Sequence, residues 1–479
     1  MRKTKIVATL GPSTDNPDVL RSMILSGLDV ARFNFSHGDH ESHKKRIDGL
    51  RKICAETGST VALLADTKGP EIRLCTFQGG KAELVTGATF TLTSDTIIGD
   101  ATRVGMTYPG LPQEVLPGAR ILLDDGLIEL AVESVSGTDI ITKVLYGGMI
   151  SDRKGVNVPD VCLDIPYISA KDRSDFHFFI EQGFDLIAAS FVRYSDDVTE
   201  MREELHRIDS KNKIRIIAKI ENAQGVCNAD SILSVSDGLM VARGDLGVEL
   251  AYEELPIIQK DLINKALSQG KQVITATQML ESMVYKPRPT RAETSDVANA
   301  VFDGTSAIML SGETAMGNFP VESLSAMSRI AERIEVDIDY RLRFKRCDYK
   351  SGASTTDAIS HATVTTSHDL QTAAILTVTM SGDTARNVAK FRPSCPIIAC
   401  TPDPVVQRQL KLVWGVIPIL TSEESDATAL FNQAVEAALD GGYINKGDLV
   451  VLTAGVPLGC SGKTNLLKVH IVGDKILVS

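Results

Sequence analysis

Residues 214–222 read IRIIAKIEN, and residues 237–247 read DGLMVARGDLG. Each stretch contains a short, largely apolar run and then changes abruptly to charged residues. Because apolar residues occupy consecutive positions, both faces of such a run are suited to burial, as in the parallel strands of an α/β protein. The two stretches therefore predict buried strands that end in polar groups.

The same pattern recurs along the chain, and helical stretches separate most of the runs. The predicted strands are 6–10, 28–35, 61–65, 186–192, 214–220, 239–242, 272–276 and 307–310. The predicted helices include 17–26, 40–57, 195–209 and 255–269. About eight strand–helix repeats predict an α/β fold, a (β/α)8 TIM barrel, and an open doubly wound sheet is the alternative.

Two further regions interrupt or follow this repeat. Residues 70–166 are rich in Thr, Val, Gly and Asp, and the turn at 124–126 between two apolar runs predicts a hairpin. We interpret this region as an all-β lid domain inserted into the barrel, where it can cover the active site. Beyond it, new strands and helices predict a separate C-terminal α/β domain. The predicted domains are 1–69 and 167–340 for the barrel, 70–166 for the lid and 341–479 for the C-terminal domain.

The composition excludes several classes of protein. The 479-residue chain has a formal charge of -11 and no long basic run, so we expect no binding to nucleic acid. Its eight cysteines include no C-x-x-C pair, which favours reduced thiols over a disulfide framework or a zinc site. No run of about 18 apolar residues and no signal peptide are visible, so we expect a cytoplasmic protein without a membrane span.

Polar side chains are concentrated where the predicted strands end, which is where (β/α)8 enzymes carry their active sites. At the end of the second strand, Arg32, Asn34 and Ser36 alternate with apolar residues and should share one face. A solvated surface strand would look the same, but a buried sheet tolerates such a face only if the polar groups have partners. The second strand end therefore predicts a binding site.

The fifth and sixth strand ends carry acidic residues. Lys219 and Glu221 share a face, and Asp245 follows the next strand. With no His or Cys nearby in sequence, two carboxylates at neighbouring strand ends predict a site for Mg²⁺ or Mn²⁺ rather than zinc. Together with Arg32, Lys219 and Arg73, such a site suits a phosphorylated, carboxylated small molecule.

Seven segments resemble the pyruvate kinase family, in the family's order and across nearly the whole chain. They are DVARFNFSHG (29–38), ADTKGPEIR (65–73), AKIEN (218–222), ARGDLGVE (242–249), TATQMLESM (275–283), PTRAETSDVANAV (289–301) and MLSGETA (309–315). The resemblance implies a barrel with a β lid after the third strand and a C-terminal effector domain. It also implies that the chain transfers the phosphoryl group of phosphoenolpyruvate to ADP, giving pyruvate and ATP, in the last step of glycolysis.

The resemblance implies a role for each matching residue. Glu221 and Asp245 would bind Mg²⁺ or Mn²⁺, while Arg32 and Lys219 would meet the transferring phosphoryl group. Phosphoryl transfer requires such positioning and charge neutralisation more than covalent help. Loss of the phosphoryl group leaves an enolate, whose oxygen Lys219 and the metal ion would stabilise.

A second group would hold the rest of the substrate. Thr277, with the amides of Gly244 and Asp245, matches the family's site for the phosphoenolpyruvate carboxylate. Thr277 and Ser311 are also candidates for a water-linked path that brings a proton to the enolate. The final proton donor stays open, because a hydroxyl is a poor acid unaided.

Two further sets of residues match the family's potassium and nucleotide sites. The matching K⁺ ligands are Asn34, Ser36, Asp66 and Thr67. The matching positions near the nucleotide are Asn34, His37, Arg73 and Lys171. In this family a glutamate at the position of Glu71 accompanies dependence on K⁺, so the resemblance predicts activation by K⁺.

The C-terminal domain would bind a phosphorylated effector at two loops. The matching loop residues are Ser381, Gly382, Asp383, Thr384, Ser461, Gly462, Lys463 and Thr464. Helix N-termini bind phosphate readily. Many relatives carry a neutral or basic residue at the position of Asp383, so a plain helix cap is the alternative there. A homotetramer is implied by the resemblance alone.

Two other classes of function remain open at this point. One is a Mg²⁺-dependent, enolate-forming carbon–carbon lyase, or an aldolase that uses Lys219 as a Schiff base. A Schiff-base lysine needs a lowered pKa, whereas the neighbouring Glu221 favours the charged amine. The other is a binding protein that has kept the scaffold and lost the reaction, against which the retention of every motif position argues.

Overall fold

The computed structural model describes residues 1–159, 161–346, 354–424, 426–456 and 464–476. Its central feature is a closed barrel of parallel strands, each paired to the next in chain order and the first also paired to the last. The barrel strands are Lys5–Thr9, Val30–Asn34, Ala62–Asp66, Leu186–Ala189, Arg215–Ile220, Gly238–Ala242, Gln272–Ala276 and Ala307–Leu310. The predicted TIM barrel is confirmed, and the open doubly wound sheet is wrong because the sheet closes.

Helices connect successive strands and cover the outside of the barrel. They are Pro17–Leu25, His40–Thr57, Ala170–Glu181, Ser195–Ile208, Ala223–Cys227, Ala229–Val235, Arg243–Glu249, Leu255–Ser268, Arg291–Asp303, Gly312–Ala315, Pro320–Asp337 and Tyr340–Arg346, with 3₁₀ turns at Pro12–Thr14 and Glu281–Val284. Local sequence sets their ends. The helix after the second strand starts behind Asp39, whose carboxylate accepts the Ser42 amide at 2.9 Å, and stops at Gly58 in the left-handed conformation.

Alternation along the barrel strands separates an inner core from an outer one. Val30 and Ile217 are buried with other inward-facing residues, whereas Ala31 and Ala218, which lie between inward positions, pack with the surrounding helices. Burial on both faces explains why the runs are apolar at consecutive positions. The next inward positions on three strands are Arg32, Asp66 and Lys219. The polar mouth therefore lies directly above the apolar interior.

An all-β region follows the third barrel strand. Its larger sheet has the strand order Val156–Asn157, Arg120–Leu123, Ile128–Ser136, Asp139–Tyr146, Thr89–Thr93 and Arg103–Gly105, and Gly148–Ser151 pairs with Lys81–Leu84. The predicted hairpin is present, and Asp124 and Asp125 in its turn adopt left-handed backbone conformations. A short helix, Leu111–Glu114, and a 3₁₀ turn, Gln78–Gly80, also occur there. The inserted β domain is confirmed, while its boundaries stay predictions.

The C-terminal region is a separate α/β unit. Its sheet has the order Val416–Leu420, Ile397–Thr401, Ala374–Val378, Leu449–Ala454 and Leu466–Ile471, and its helices are Thr355–Leu370, Asp383–Lys390, Pro404–Gln409 and Ala427–Asp440, with a 3₁₀ turn at Leu410–Leu412. It packs against the end of the barrel opposite the polar mouth, where Lys5 Nζ donates to Val416 O at 2.7 Å. Among the described residues, no helix has both the length and the apolar character that crossing a bilayer requires.

Candidate active site

Asp66, at the end of the third barrel strand, lies at the centre of the polar mouth. Its carboxylate accepts hydrogen bonds from Arg32 Nε at 2.6 Å and from Lys219 Nζ at 3.0 Å. Burial alone would raise the pKa of Asp66, but the two cations outweigh burial and hold the pKa below its ordinary value. The structure therefore brings both predicted phosphoryl-binding cations onto one buried anion.

Lys219 has further partners on the neighbouring strands. Its Nζ lies 2.9 Å from Glu221 Oε1 and donates to Ser190 Oγ at 2.8 Å. Burial would lower the pKa of this amine, but the carboxylates of Asp66 and Glu221 raise it above its ordinary value. Lys219 is therefore cationic at neutral pH. An amine held in the charged form cannot act as a nucleophile, which argues against the Schiff-base alternative.

Glu221 and Asp245 form a pair of carboxylates beside this cluster. Asp245 lies close enough to Glu221 to influence its ionisation, and Glu221 Oε2 accepts the Phe191 amide at 2.7 Å. Burial raises the pKa of Glu221 to about 7 against the opposing charge of Lys219, and Asp245 adds to the rise. Burial also raises the pKa of Asp245. Two adjoining carboxylates that are costly to ionise together suit a bound cation.

The donor set of this pair fits a hard divalent ion. The described residues contain no group of three or more His, Cys, Asp or Glu side chains that could hold a metal by itself. Magnesium is commonly held by one or two protein carboxylates, with water and substrate oxygens completing its shell. Glu221 and Asp245 therefore fit Mg²⁺ or Mn²⁺ together with a substrate, rather than a metal cage made by protein alone.

Thr277, which follows the seventh barrel strand, has an unusual backbone. Its φ is +64°, and that of Gln278 is +54°. This left-handed region is rare for β-branched residues and costs about 1–3 kcal/mol, and such strain concentrates at functional sites. Thr277 Oγ1 accepts the Gly244 amide at 2.8 Å and donates to Ala276 O at 2.7 Å. Two members of the predicted carboxylate site are therefore in direct contact.

Ser311 closes the ring at the end of the eighth barrel strand. Its amide donates to Glu313 Oε2 at 2.8 Å, and the other oxygen of this buried carboxylate accepts the Leu280 amide at 3.0 Å. The Ser311 hydroxyl is buried and makes no hydrogen bond within the described part of the chain. Buried hydroxyls without a partner are uncommon and can mark a place for a ligand or water.

The predicted potassium ligands come from two neighbouring strand ends. Asn34 and Asp66 are paired in the register of the second and third barrel strands, and Asn34 Oδ1 accepts the Ser36 amide at 3.0 Å. Thr67 follows Asp66, and its carbonyl accepts Ser190 Oγ at 2.6 Å. These residues can offer carbonyl, hydroxyl and carboxylate oxygens, the kind of ligand that hard cations prefer, and the potassium site stays a prediction.

The predicted nucleotide contacts are more dispersed. Lys171 Nζ donates to Phe35 O at 2.9 Å, so this lysine lies beside the end of the second barrel strand, which His37 also follows. Arg73 belongs to the junction with the lid, and its guanidinium pairs with Glu71 at 2.6 Å. Lys171 and His37 therefore lie at the second strand end, whereas Arg73 lies at the lid junction.

A cavity of about 190 Å³ lies between the lid and another part of the mouth. Its lining includes Glu71 and Asp125 from the lid side and Phe191, Asn222 and Asp245 from the barrel. The lid therefore overhangs Asp245 of the carboxylate pair, as expected for an insertion at this end of the barrel.

The predicted effector residues Ser381, Gly382, Asp383 and Thr384 lie where a helix of the C-terminal domain begins. The helix begins at Asp383, and Gly382 before it has φ +86°. The Asp383 carboxylate accepts Ser381 Oγ at 2.7 Å and Arg386 Nη1 at 2.9 Å, and it lies 3.7 Å from Arg215 Nη2 of the barrel. The interpretation of Asp383 as a plain helix cap is wrong, because the cap residue is Gly382 and Asp383 binds arginine instead.

The second effector loop is described only at its end. Thr464 Oγ1 and Thr384 Oγ1 are 2.9 Å apart, so the two loops meet. The predicted effector residues Ser461, Gly462 and Lys463 lie outside the described residues.

Sequence reasoning missed two hydroxyls of the mouth. Ser190 Oγ lies between Lys219 Nζ and Asp66 Oδ1, and Thr9 Oγ1 accepts Arg32 Nη1 at 2.8 Å. Both residues stand at the carboxyl ends of barrel strands, so the strand-end rule used for the other residues would have found them.

Comparisons with known proteins agree with this geometry. Residues 1–324 match the family model described as pyruvate kinase, barrel domain, and residues 357–470 match the one described as pyruvate kinase, alpha/beta domain. A pyruvate kinase of Geobacillus stearothermophilus is 51% identical over 475 residues, which cover 99% of this chain and 81% of the relative. One from Clostridium acetobutylicum is 46% identical over 98% of this chain and 100% of the relative.

A solved structure shows the same arrangement. The crystal structure of a pyruvate kinase from Cryptosporidium parvum has a TM-score of 0.93 and 40% sequence identity, covering 98% of this chain and 96% of that one. Fold, motif order and full-length identity therefore agree. The chain belongs to the pyruvate kinase family of phosphotransferases.

Proposed function

We propose that the barrel mouth transfers the phosphoryl group of phosphoenolpyruvate to ADP, giving pyruvate and ATP in the last step of glycolysis. The observation that carries this proposal is the buried cluster of Arg32, Asp66, Lys219 and Glu221, with Asp245 alongside. The cluster brings two cations and three carboxylates into one small volume. Phosphoryl transfer requires that positioning and charge neutralisation.

The proposed metal ligands are Glu221 and Asp245 for Mg²⁺ or Mn²⁺. A bound divalent ion would neutralise negative charge on the substrate oxygens. The chain's own contribution is to hold the two carboxylates together at buried strand ends, with Lys219 Nζ 2.9 Å from one of them. This arrangement would set the position of a bound ion relative to the cationic side chains.

Arg32 and Lys219 would neutralise the transferring phosphoryl group from the barrel side. Asp66 orients both cations, because its Oδ2 binds Arg32 and its Oδ1 binds Lys219. After the phosphoryl group leaves, Lys219 would donate a hydrogen bond to the enolate oxygen. A preorganised cation in a buried site stabilises such developing charge without rearrangement.

The proposed carboxylate site consists of Thr277 and the amides of Gly244 and Asp245. The Gly244 amide now donates to Thr277 Oγ1, so a bound carboxylate would compete with that hydroxyl for the amide. Ser311, whose hydroxyl makes no hydrogen bond in the described part of the chain, would join Thr277 in a water-linked path that brings a proton to the enolate carbon.

Potassium and the nucleotide complete the proposed substrate site. The proposed K⁺ ligands are Asn34, Ser36, Asp66 and Thr67. The proposed nucleotide contacts are Asn34, His37, Arg73 and Lys171. Glu71 pairs with Arg73 at 2.6 Å and adds no positive charge of its own to the site, which supports a requirement for K⁺.

Regulation, assembly and location belong to the same proposal. A phosphorylated effector would bind the loops around Ser381–Thr384 and 461–464, and the enzyme would be a cytoplasmic homotetramer without a nucleic-acid or membrane partner. The proposed domain boundaries are 1–69 and 167–340, 70–166, and 341–479. No observation favours the carbon–carbon lyase or a scaffold that has lost its reaction.

A coupled assay tests the function directly. Phosphoenolpyruvate, ADP and Mg²⁺ are supplied with and without K⁺, and pyruvate is followed. Lys219→Met should lower kcat about 1,000-fold or more while phosphoenolpyruvate still binds. Lys271→Met is the matched control, because Lys271 Nζ donates to Ser236 O at 2.8 Å near the opposite end of the barrel and should leave kcat unchanged. Turnover of the Lys219 variant at the wild-type rate would remove this lysine from the reaction.

A further inference from the structure

The left-handed backbone of Thr277 needs an external constraint. Thr277 is followed by a second left-handed residue, Gln278, and neither is glycine. Two consecutive residues in this region persist only where surrounding contacts over-determine them. The loop after the seventh barrel strand must therefore be held by side chains from elsewhere.

Arg243 supplies that constraint. Its Nε donates to Ala276 O at 3.2 Å, and its Nη2 donates to Thr277 O at 2.7 Å. The guanidinium thus binds two successive carbonyl groups, which belong to the peptide groups on either side of Thr277. Because the guanidinium is planar and its donors have a fixed spacing, rotation of either peptide would break one of these bonds.

Arg243 is itself anchored on a different element. It is 9% exposed, and its Nη1 donates to Asp296 Oδ1 at 2.7 Å in the helix Arg291–Asp303. The Gln259 side chain accepts a longer bond of 3.4 Å from the same nitrogen. A buried guanidinium is stable only when paired, and Asp296 supplies that partner and fixes its plane.

The backbone after Arg243 binds the other side of the same threonine. The amide of Gly244, the next residue, donates to Thr277 Oγ1 at 2.8 Å. Ala276 O accepts both Arg243 Nε and Thr277 Oγ1. Thr277 is therefore held at its carbonyl and its hydroxyl by two consecutive residues of the sixth strand end.

We infer that Arg243 is a positioning residue, whose side chain sets the direction of the Thr277 hydroxyl in the substrate site. This inference rests on the proposed role of Thr277 in holding the substrate carboxylate. Arg243 does not need to touch the substrate. A purely structural reading, in which Arg243 and Asp296 only join a strand end to a helix, predicts lower stability without a specific loss of turnover.

A double-mutant cycle separates the two readings. Arg243→Lys keeps the charge but cannot bind both carbonyls and Asp296 at once, so kcat for phosphoenolpyruvate should fall about 10- to 100-fold. In the Thr277→Ala background, Arg243→Lys should lower kcat by less than about twofold, because the hydroxyl that Arg243 positions is already absent. Losses that multiply, or an Arg243→Lys enzyme with wild-type kcat, would overturn the inference.

Two further variants keep the test decisive. Arg202→Lys is the matched control, because Arg202 binds Val235 O at 3.0 Å and Asp237 at 3.1 Å away from the mouth and should keep wild-type kcat. If Arg243→Lys does not fold, Asp296→Asn takes its place in the cycle. Asp296→Asn should lower kcat by a smaller factor, and this loss must also disappear in the Thr277→Ala background. Wild-type turnover in Thr277→Ala alone would instead refute the proposed role of Thr277 in the function.

Discussion

Asp66→Asn is the substitution that most sharply probes the buried charge cluster. Asparagine keeps the size of the side chain but removes the charge that two cations share. Its amide can accept from one of Arg32 and Lys219 but turns an N–H group toward the other. Asp66 accepts at 2.6 Å and 3.0 Å from these residues, and its side chain is 1% exposed, so water cannot take its place.

The loss of stability in Asp66→Asn depends on which partners each cation still has after the substitution. Removing one partner of a buried ion pair costs about 3–5 kcal/mol in the free energy of unfolding. Lys219 keeps Glu221 and Ser190, and Arg32 keeps Thr9, so we expect a value near the lower end, about 3 kcal/mol. Because both cations lose their orientation, kcat should fall about 100-fold or more.

Two measurements and one control test the predicted effects of Asp66→Asn. Denaturant unfolding gives the free energy, and the pyruvate-coupled assay gives kcat at saturating phosphoenolpyruvate, ADP, Mg²⁺ and K⁺. Asp48→Asn is the control, since Asp48 forms an exposed pair with Lys44 at 3.6 Å and should change stability by at most about 0.5 kcal/mol. If Asp66→Asn matched this control in both assays, the cluster could not have the role assigned to it.

Three further substitutions test other parts of the account. Glu71→Lys should weaken the K⁺ requirement in a rate titration, because a fixed amine would stand near the proposed K⁺ ligands. The stability of Asp185→Asn relative to wild type should rise by up to about 3 kcal/mol in denaturant unfolding as the pH increases from 4 to 7, because burial raises the pKa of Asp185 to about 6 despite the bond from Arg408 Nε at 2.8 Å, and only the wild type ionises this buried group. Gly238→Ala should destabilise the barrel by about 1–3 kcal/mol, because an added Cβ would lie 2.4 Å from the carbonyl oxygen of Gln272.

Each of these has a control on the same chain. Glu83→Lys, on an exposed part of the lid, should leave the K⁺ titration unchanged, and an equal shift there would discard the Glu71 argument. Asp369→Asn, which removes an exposed carboxylate paired with Arg341, should change stability by at most about 1 kcal/mol. Gly49→Ala has open space around the added carbon within a helix and should stabilise by about 0.5–1 kcal/mol. A stabilised Gly238→Ala protein would contradict the packing described for the barrel.

The barrel could be predicted because strands that are buried on both faces have a recognisable sequence pattern. Runs such as 214–220 are apolar at consecutive positions, and the polar residues that interrupt them, including Arg32 and Lys219, stand at inward positions of the strand ends. Period-two geometry and the strand-end rule are enough to place such residues at one mouth. The closure of the sheet follows from the number of repeats rather than from any single residue.

Other features depend on contacts that no local pattern encodes. The left-handed conformation of Thr277 is imposed by Arg243 from another strand end, against the preference of a β-branched residue. The bond between Asp383 and Arg386 is local, yet the sequence suggested a helix cap, because capping and ion pairing use the same residue type. The 3.7 Å approach of Arg215 to Asp383 joins domains far apart in the chain.

The most direct measurement is the position of a divalent ion in a crystal of this enzyme grown with Mn²⁺ and a phosphoenolpyruvate analogue, read from its anomalous scattering. We expect one strong peak bound at roughly 2 Å by carboxylate oxygens of both Glu221 and Asp245. A peak ligated by neither carboxylate, with the analogue bound at the mouth, would contradict this expectation.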